Sequence, residues 1–286
     1  SKIMMPILIV LSVIIAVYSV TRPGALAGVK YFLVPNVKNF SWMTVVSAMG
    51  QMFYSLSIAM GILITFGSYM KKDTAIEDST RNVEIFDTGI AIMAGLMIIP
   101  AVFAFSGGDP DTLQAGPSLM FITIPKVFQN MGFGTVIGIV FFLLVLFAAV
   151  TSSIALTESA VSTFEDELGW GRKKATVLVG VIMLALGSLS SLGYGPLAGI
   201  KIIGMQFLDL FDFLTNSVMM PIAALLTSLF VSRVVGIDKI EEEIIHGESA
   251  FRRKKVFVVM IKYLCPVFAI IILLSSVANA LGWIKM

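Results

Sequence analysis

Ala48-Met49-Gly50-Gln51-Met52-Phe53-Tyr54-Ser55-Leu56-Ser57-Ile58-Ala59-Met60-Gly61 is the stretch whose reading decides the fold. It lies inside an apolar run from Trp42 to Met70, long enough to cross a bilayer. Its middle nevertheless carries Gln51, Tyr54, Ser55 and Ser57, with Gly50 and Gly61 on either side. Polar groups are costly in hydrocarbon unless something pairs with them. Two readings are open. In one, the helix breaks at mid-membrane, and its freed carbonyls and hydroxyls face a cavity that holds an ion or solute. In the other, the small residues form a face on which a neighbouring helix packs closely.

The surrounding composition leaves no room for a soluble domain. The 286 residues are 57% hydrophobic and 13% charged, with a mean hydropathy of +0.95, which describes a polytopic membrane protein in a lipid bilayer. The net charge of +2 does not suggest a nucleic-acid partner, because the basic residues lie in short loops. One cysteine, Cys265, excludes a disulfide framework within the chain and a thiolate metal cluster. The single histidine, His246, sits in a charged loop and reads as solvated. No nucleophile–base pair, metal cluster or phosphate-cradling glycine loop argues for an enzyme. The chain opens with Ser1-Lys2 rather than Met and is read as a fragment or processed chain whose N-terminal part is absent.

Apolar length and polar interruption predict seven spans, at 3–20, 42–70, 85–106, 133–163, 173–191, 207–234 and 256–281. Loops 71–84, 164–172 and 235–255, with their flanks, hold twelve Lys and Arg, against five in the opposite loops. That asymmetry predicts a cytoplasmic N-terminus and an extracellular C-terminus for this chain. The external stretch 107–132 carries an apolar-periodic piece from Ser118 to Asn130. It reads either as a lid-like loop or as a passive surface helix. The cytoplasmic run 238–255 reads as a solvated amphipathic connector.

A second polar centre lies in the fourth span, Ala148-Ala149-Val150-Thr151-Ser152-Ser153-Ile154-Ala155-Leu156. Helical spacing puts Ala148, Thr151 and Ser152 on one face. A carbonyl at Ala148 with two hydroxyls would offer hard oxygens to a small cation. Alternatively, the hydroxyls simply bond back to the preceding turn. Asp87, near the start of the third span, is either a cap at the membrane surface or an intramembrane carboxylate with a function.

These residues resemble the neurotransmitter:sodium symporters, with the leucine-transporter-like inverted-repeat fold. The resemblance is carried by Gly50-Gln51 through Gly61 with Thr65-Phe66-Gly67-Ser68-Tyr69, and by Thr151-Ser152-Ser153-Ile154-Ala155. Phe164-Glu165-Asp166-Glu167-Leu168, Phe121-Ile122-Thr123-Ile124-Pro125 and the pair Asp209 and Asp212 extend it over the whole chain. It implies an all-α integral membrane fold with seven helices, from the fifth span of the family onward, and the first four spans missing. Residues 42–234 would form the second inverted repeat within a single transmembrane unit, 1–286.

The resemblance also implies two sodium sites. Ser55 and Asp87 look like ligands of the first; the Ala148 carbonyl, Thr151 and Ser152 look like the second. Both would be incomplete without the missing first span. Tyr54, Ser55, Ser57, Met60, Ser152 and Leu156 look like the walls of an amino-acid pocket. Methionine repacks around side chains of different shape, which suits a hydrophobic substrate, aromatic ones included. Ala59 stands where relatives often have glycine. Asp212 resembles the external gate acid and Asp166 the internal one, with Tyr69 nearby. The expected function is sodium-coupled symport of hydrophobic amino acids by alternating access, in a bacterial or archaeal plasma membrane. The missing N-terminal spans would be partners, and a homodimer is compatible. The alternatives from other classes are an inert, scaffolding or split membrane fragment, and an amino-acid sensor that does not transport.

Overall fold

The computed structural model describes residues 3–106, 119–129, 133–248, 250–280 and 283. Helices make up most of the described residues: α1 (Met4–Val20), α2 (Ala25–Leu33), α3 (Trp42–Ser55), α4 (Ile62–Ser68), α5 (Ile76–Ser106), α6 (Ile124–Gln129), α7 (Gly134–Leu168) and α8 (Arg172–Leu192). They continue with α9 (Phe207–Val235), α10 (Ile237–Gly247) and α11 (Lys254–Ala280). Single turns of wider, π-type helix interrupt α9 at Phe213–Met219 and Val231–Val235 and α11 at Met260–Leu264.

Five helices, α5, α7, α8, α9 and α11, are long and apolar enough to cross a bilayer, and a sixth span results if α1 and α2, bent by 114°, count as one. Only 11–22% of the most apolar window of each of the five is buried, so most of their apolar surface faces outward. Helices satisfy their backbone internally, which is why such surfaces are tolerated in lipid. The 42–70 run is not a single helix. It is α3 and α4 separated by residues 56–61, so the expected discontinuity is present in the backbone. Helix α3 begins at a capping box in which Thr44 N donates to Ser41 Oγ and Ser41 N donates to Thr44 Oγ1, at 3.4 and 3.3 Å.

The chain divides into two compact units. The first comprises residues 1–40 and 84–154. Its core joins Ile15 and Ala16 of α1, Met97 and Ala101 of α5, Ile124, Val127 and Phe128 of α6, and Phe141 of α7. Helix α2 approaches α5 where Pro100 interrupts that helix: a Cβ on Gly28 would lie 2.8 Å from Pro100 Cα. One turn earlier, the Met97 carbonyl accepts the buried Ser19 hydroxyl at 2.8 Å. The apolar piece predicted between Ser118 and Asn130 is helical over its described part, Leu119–Gln129, and buries Ile124, Val127 and Phe128. Residues 107–118 and 130–132 of the expected lid-like loop lie outside the described residues.

The second unit comprises residues 41–83 and 155–286. Helix α9 packs along α11, which also meets α3. Val161 on α7 packs on Ala175 and Val179 of α8. On the predicted cytoplasmic side, the connector forms helix α10, whose apolar face buries Ile237 and Ile244. It is more than a solvated linker. Glu248, just past α10, accepts from the first backbone amides of α5, Glu77 N at 2.6 Å and Asp78 N at 3.2 Å. The Glu77 carboxylate in turn accepts from Arg252 N at 2.9 Å. A carboxylate on orphan amides at a helix start is a cap with favourable dipole alignment, here supplied from a distant segment.

Two stability predictions follow from this backbone. Ser57, Ala59 and Gly61 all have positive φ, at 53°, 63° and 78°. A side chain there costs roughly 1–2 kcal/mol, and glycine returns about 0.5–1 kcal/mol of that as unfolded-state entropy. Ala59→Gly is therefore expected to stabilise the purified protein by about 0.5–1 kcal/mol, and Gly61→Ala to destabilise it by at least about 1–2 kcal/mol. Thermal unfolding in detergent reads both, and a stabilised Gly61→Ala would refute the assignment. Glu248→Ala is expected to cost about 1 kcal/mol, the usual worth of a helix cap. Glu248→Gln should lose less in the same assay, because its amide oxygen still accepts.

Candidate functional site

The break is built from its own sequence. Helix α3 closes with Leu56 N donating to Met52 O at 3.0 Å, Ser57 N to Tyr54 O at 3.1 Å and Ile58 N to Phe53 O at 2.9 Å. The alternation of left-handed residues at 57, 59 and 61 then turns successive carbonyls out of any helical ladder. The ladder resumes at Thr65 N, which donates to Gly61 O at 2.9 Å. Unwinding at this depth leaves backbone oxygens available to a ligand, which a continuous helix would not. Of the expected pocket residues, Tyr54 is 52% exposed and Ser55 is exposed beside it, while Ser57 and Met60 are half-buried within the break itself. Leu156, on α7, is exposed.

In the first unit, the second polar centre has a defined hydrogen-bond pattern. Thr151 Oγ1 donates to the Ala148 carbonyl at 2.8 Å, and Ser153 Oγ donates to the Ala149 carbonyl at 2.9 Å. Back-bonding and a cation site are not exclusive here. The same geometry holds Ala148 O and Thr151 Oγ1 side by side, and a cation shared by both requires only that the hydroxyl proton turn away. Ser152 is exposed on the adjacent position of α7, and Asp87 is half-buried on α5.

Near the predicted cytoplasmic end of the second unit, Tyr69 Oη donates to Glu158 Oε1 at 2.8 Å. Arg172 donates to Glu158 Oε2 at 2.5 Å and to Glu165 Oε2 at 3.2 Å. Tyr69 was expected near an inner acid. The acid it meets is Glu158, whereas Asp166 is exposed and makes no ion pair among the described residues. The sequence did not single out Glu158, nor the pairing of Glu158 and Glu165 with Arg172. The signal for them was the spacing: Glu158 and Glu165 are seven apart and so share a helical face, with a basic residue just past the helix end. Asp212, in α9, accepts from Asn216 Nδ2 at 2.5 Å, one turn on and within the wider helical turn.

Several helices long and apolar enough to cross a bilayer, with one apolar run broken by an unwound segment, describe a multi-pass membrane protein. The chain belongs to the sodium:neurotransmitter symporter family, whose profile matches residues 1–283. This is a family of symporters and not of enzymes. The fold is similar to that of MhsT in its crystal structure with L-phenylalanine, with a TM-score of 0.85 and 34% identity over 96% of this chain and 62% of MhsT. Among curated relatives, the chain is 32% identical to the sodium-dependent transporter YhdH of Bacillus subtilis, over 97% of its own length and 61% of that protein. It is 30% identical to a sodium-dependent transporter of Haemophilus influenzae, over 96% of this chain and 59% of that protein. The chain thus spans about three fifths of the length of the relatives it matches.

Arg172 is 59% exposed and Glu158 only 19%, so removing the arginine leaves a mostly covered carboxylate without its cation. Arg172→Gln is therefore expected to lower the melting temperature more than Glu158→Gln, and the difference to shrink in concentrated choline chloride, which screens the pair. Equal effects at low ionic strength would show that Glu158 is adequately solvated without Arg172.

Proposed function

We propose that this chain carries the second inverted repeat, 42–234, of a sodium-coupled symporter for hydrophobic amino acids that works by alternating access. The observation that supports this reading most is the unwound segment 56–61, bounded by α3 and α4 in a run of membrane length. Membership of a symporter family and the similarity to sodium-dependent transporters support the ion; MhsT's complex with L-phenylalanine supports a hydrophobic, aromatic-tolerant substrate. The complete cycle is proposed for a protein that also has the remainder of the relatives' length, including the first four spans of the fold. Residues 42–70 count as a span in this scheme, with seven in the chain, a cytoplasmic start and an extracellular end.

In the proposed mechanism, one sodium ion is held by Ser55 and Asp87, where the carboxylate supplies a full negative charge to the cation. A second is held by the Ala148 carbonyl, Thr151 and Ser152. Carbonyls, hydroxyls and a carboxylate are hard oxygens that suit an alkali cation and give no thiolate or imidazole that would favour a transition metal. Tyr54, Ser57, Met60 and Leu156 enclose the substrate side chain. Bound sodium favours the outward-facing state, and release of the second ion to the cytoplasm permits inward opening. The coupling is limited to the ion's differential affinity for the two states. Asp212 closes the outer side and Asp166 the inner side. The segment 107–132 acts as an external lid.

The test is uptake of labelled phenylalanine and leucine by proteoliposomes of the intact protein, with an inward sodium gradient or with choline in its place. Sodium-dependent accumulation is the expected result. Thr151→Val should raise the sodium concentration for half-maximal uptake by roughly tenfold or more, the worth of one polar contact to a charge. Ser152→Phe should abolish uptake while leaving the protein folded. Sodium-dependent binding without accumulation would make this a sensor, and neither binding nor accumulation by a folded protein would refute the transport reading.

A further inference from the structure

Helix α7 meets the broken span through a hydroxyl to which the scheme above gives no part. Ser159 is one of only three buried polar residues among the described residues, at 7% exposure. Its hydroxyl donates to the Met60 carbonyl at 3.5 Å, the last carbonyl but one before α4 begins. It also receives the Thr65 hydroxyl at 3.5 Å, and Thr65 lies 3.3 Å from Ser162 Oγ. Ser162 and Thr163 in turn donate back to the Ser159 carbonyl at 3.1 and 2.8 Å. The contacts that run between the helices are long, so no single one is strong. What they share is a position, because all of them converge on the inner lip of the break.

Gly61 provides an independent observation at the same point. A Cβ built on it would fall 2.8 Å from Ser159 Oγ, closer than any real Cβ contact. The left-handed backbone and the close approach therefore both disfavour a side chain at Gly61, and the approach is specifically to the Ser159 hydroxyl. On α7, Ser159 is seven residues after Ser152 and eight after Thr151, which puts it two turns along the same face of that helix.

We propose that Ser159 is a positioning residue. It docks the unwound segment on α7, and so fixes the Met60 carbonyl and the start of α4 against that part of the helix. This inference rests on the transport reading for its functional consequence, but its geometric core does not. The dock needs a donor at this position, and a methyl group in its place cannot satisfy the Met60 carbonyl.

Two measurements test it. In the intact protein, Ser159→Ala should raise both the KM for phenylalanine and the half-maximal sodium concentration by about threefold to tenfold, the range of one net hydrogen bond. The maximal rate should hold. Ser159→Cys should recover part of the loss, because a thiol still donates. Unchanged KM and sodium dependence in an actively transporting Ser159→Ala would overturn the proposal, as would equal loss in the alanine and cysteine variants. The second measurement does not need transport. With Cys265 replaced by serine, Ile58→Cys reports the break through its rate of labelling by a water-soluble maleimide. Ser159→Ala is expected to speed that labelling by about threefold or more, as the segment is released. An unchanged rate would overturn the docking role even if the protein transported nothing, so failure of the transport reading and failure of this one remain distinguishable.

Discussion

Backbone polar groups within a bilayer must find partners inside the protein, and the organisation of this chain depends on how it meets that constraint at residues 56–61. Among the described residues, the five long apolar helices satisfy it by staying helical. Here the ladder stops after Ser55 and resumes at Ile62, and three left-handed residues in six keep the interval from winding up. Such a segment persists only when its surroundings hold it, since each non-glycine left-handed residue costs free energy. The hydroxyls of Ser159, Thr65 and Ser162 stand at the inner edge of that interval.

Helix α7 brings together much of the proposed chemistry. Its 35 residues carry the Ala148 and Thr151 oxygens, then Ser159, then Glu158 and Glu165 facing Arg172 and Tyr69. Polar groups are spread along the helix in order, each with a partner that neutralises part of its cost in hydrocarbon: a carbonyl of the preceding turn, a carbonyl of the break, a guanidinium.

The connector between α9 and α11 extends this pattern. Glu248 caps the start of α5 across 171 residues of sequence, and the Glu77 carboxylate takes the Arg252 amide in return. The loop after the broken span and the connector before the last helix are thereby joined by charge-assisted hydrogen bonds, which are stronger than neutral ones. This gives the 71–78 loop a fixed anchor close to the end of α4.

Much was legible in the sequence because its cause is local. Apolar composition alone required membrane helices, and Gly61 with the Ser55 and Ser57 hydroxyls located the break to within a turn. Short strings of residues sufficed for the family. The hydroxyls at 151–153 declared a polar centre and left back-bonding open, which Thr151 makes to Ala148. What only the tertiary structure decided is which distant groups meet. Tyr69 lies 89 residues from Glu158 and Met60 99 from Ser159. Hydropathy and helical period specify a face, but no local preference distinguishes Glu158 from Asp166 as the partner of a tyrosine, or shows that a lone serine on α7 reaches an unwound carbonyl. Those pairings are fixed by how the helices pack, which is a property of the whole chain and of no single stretch of it.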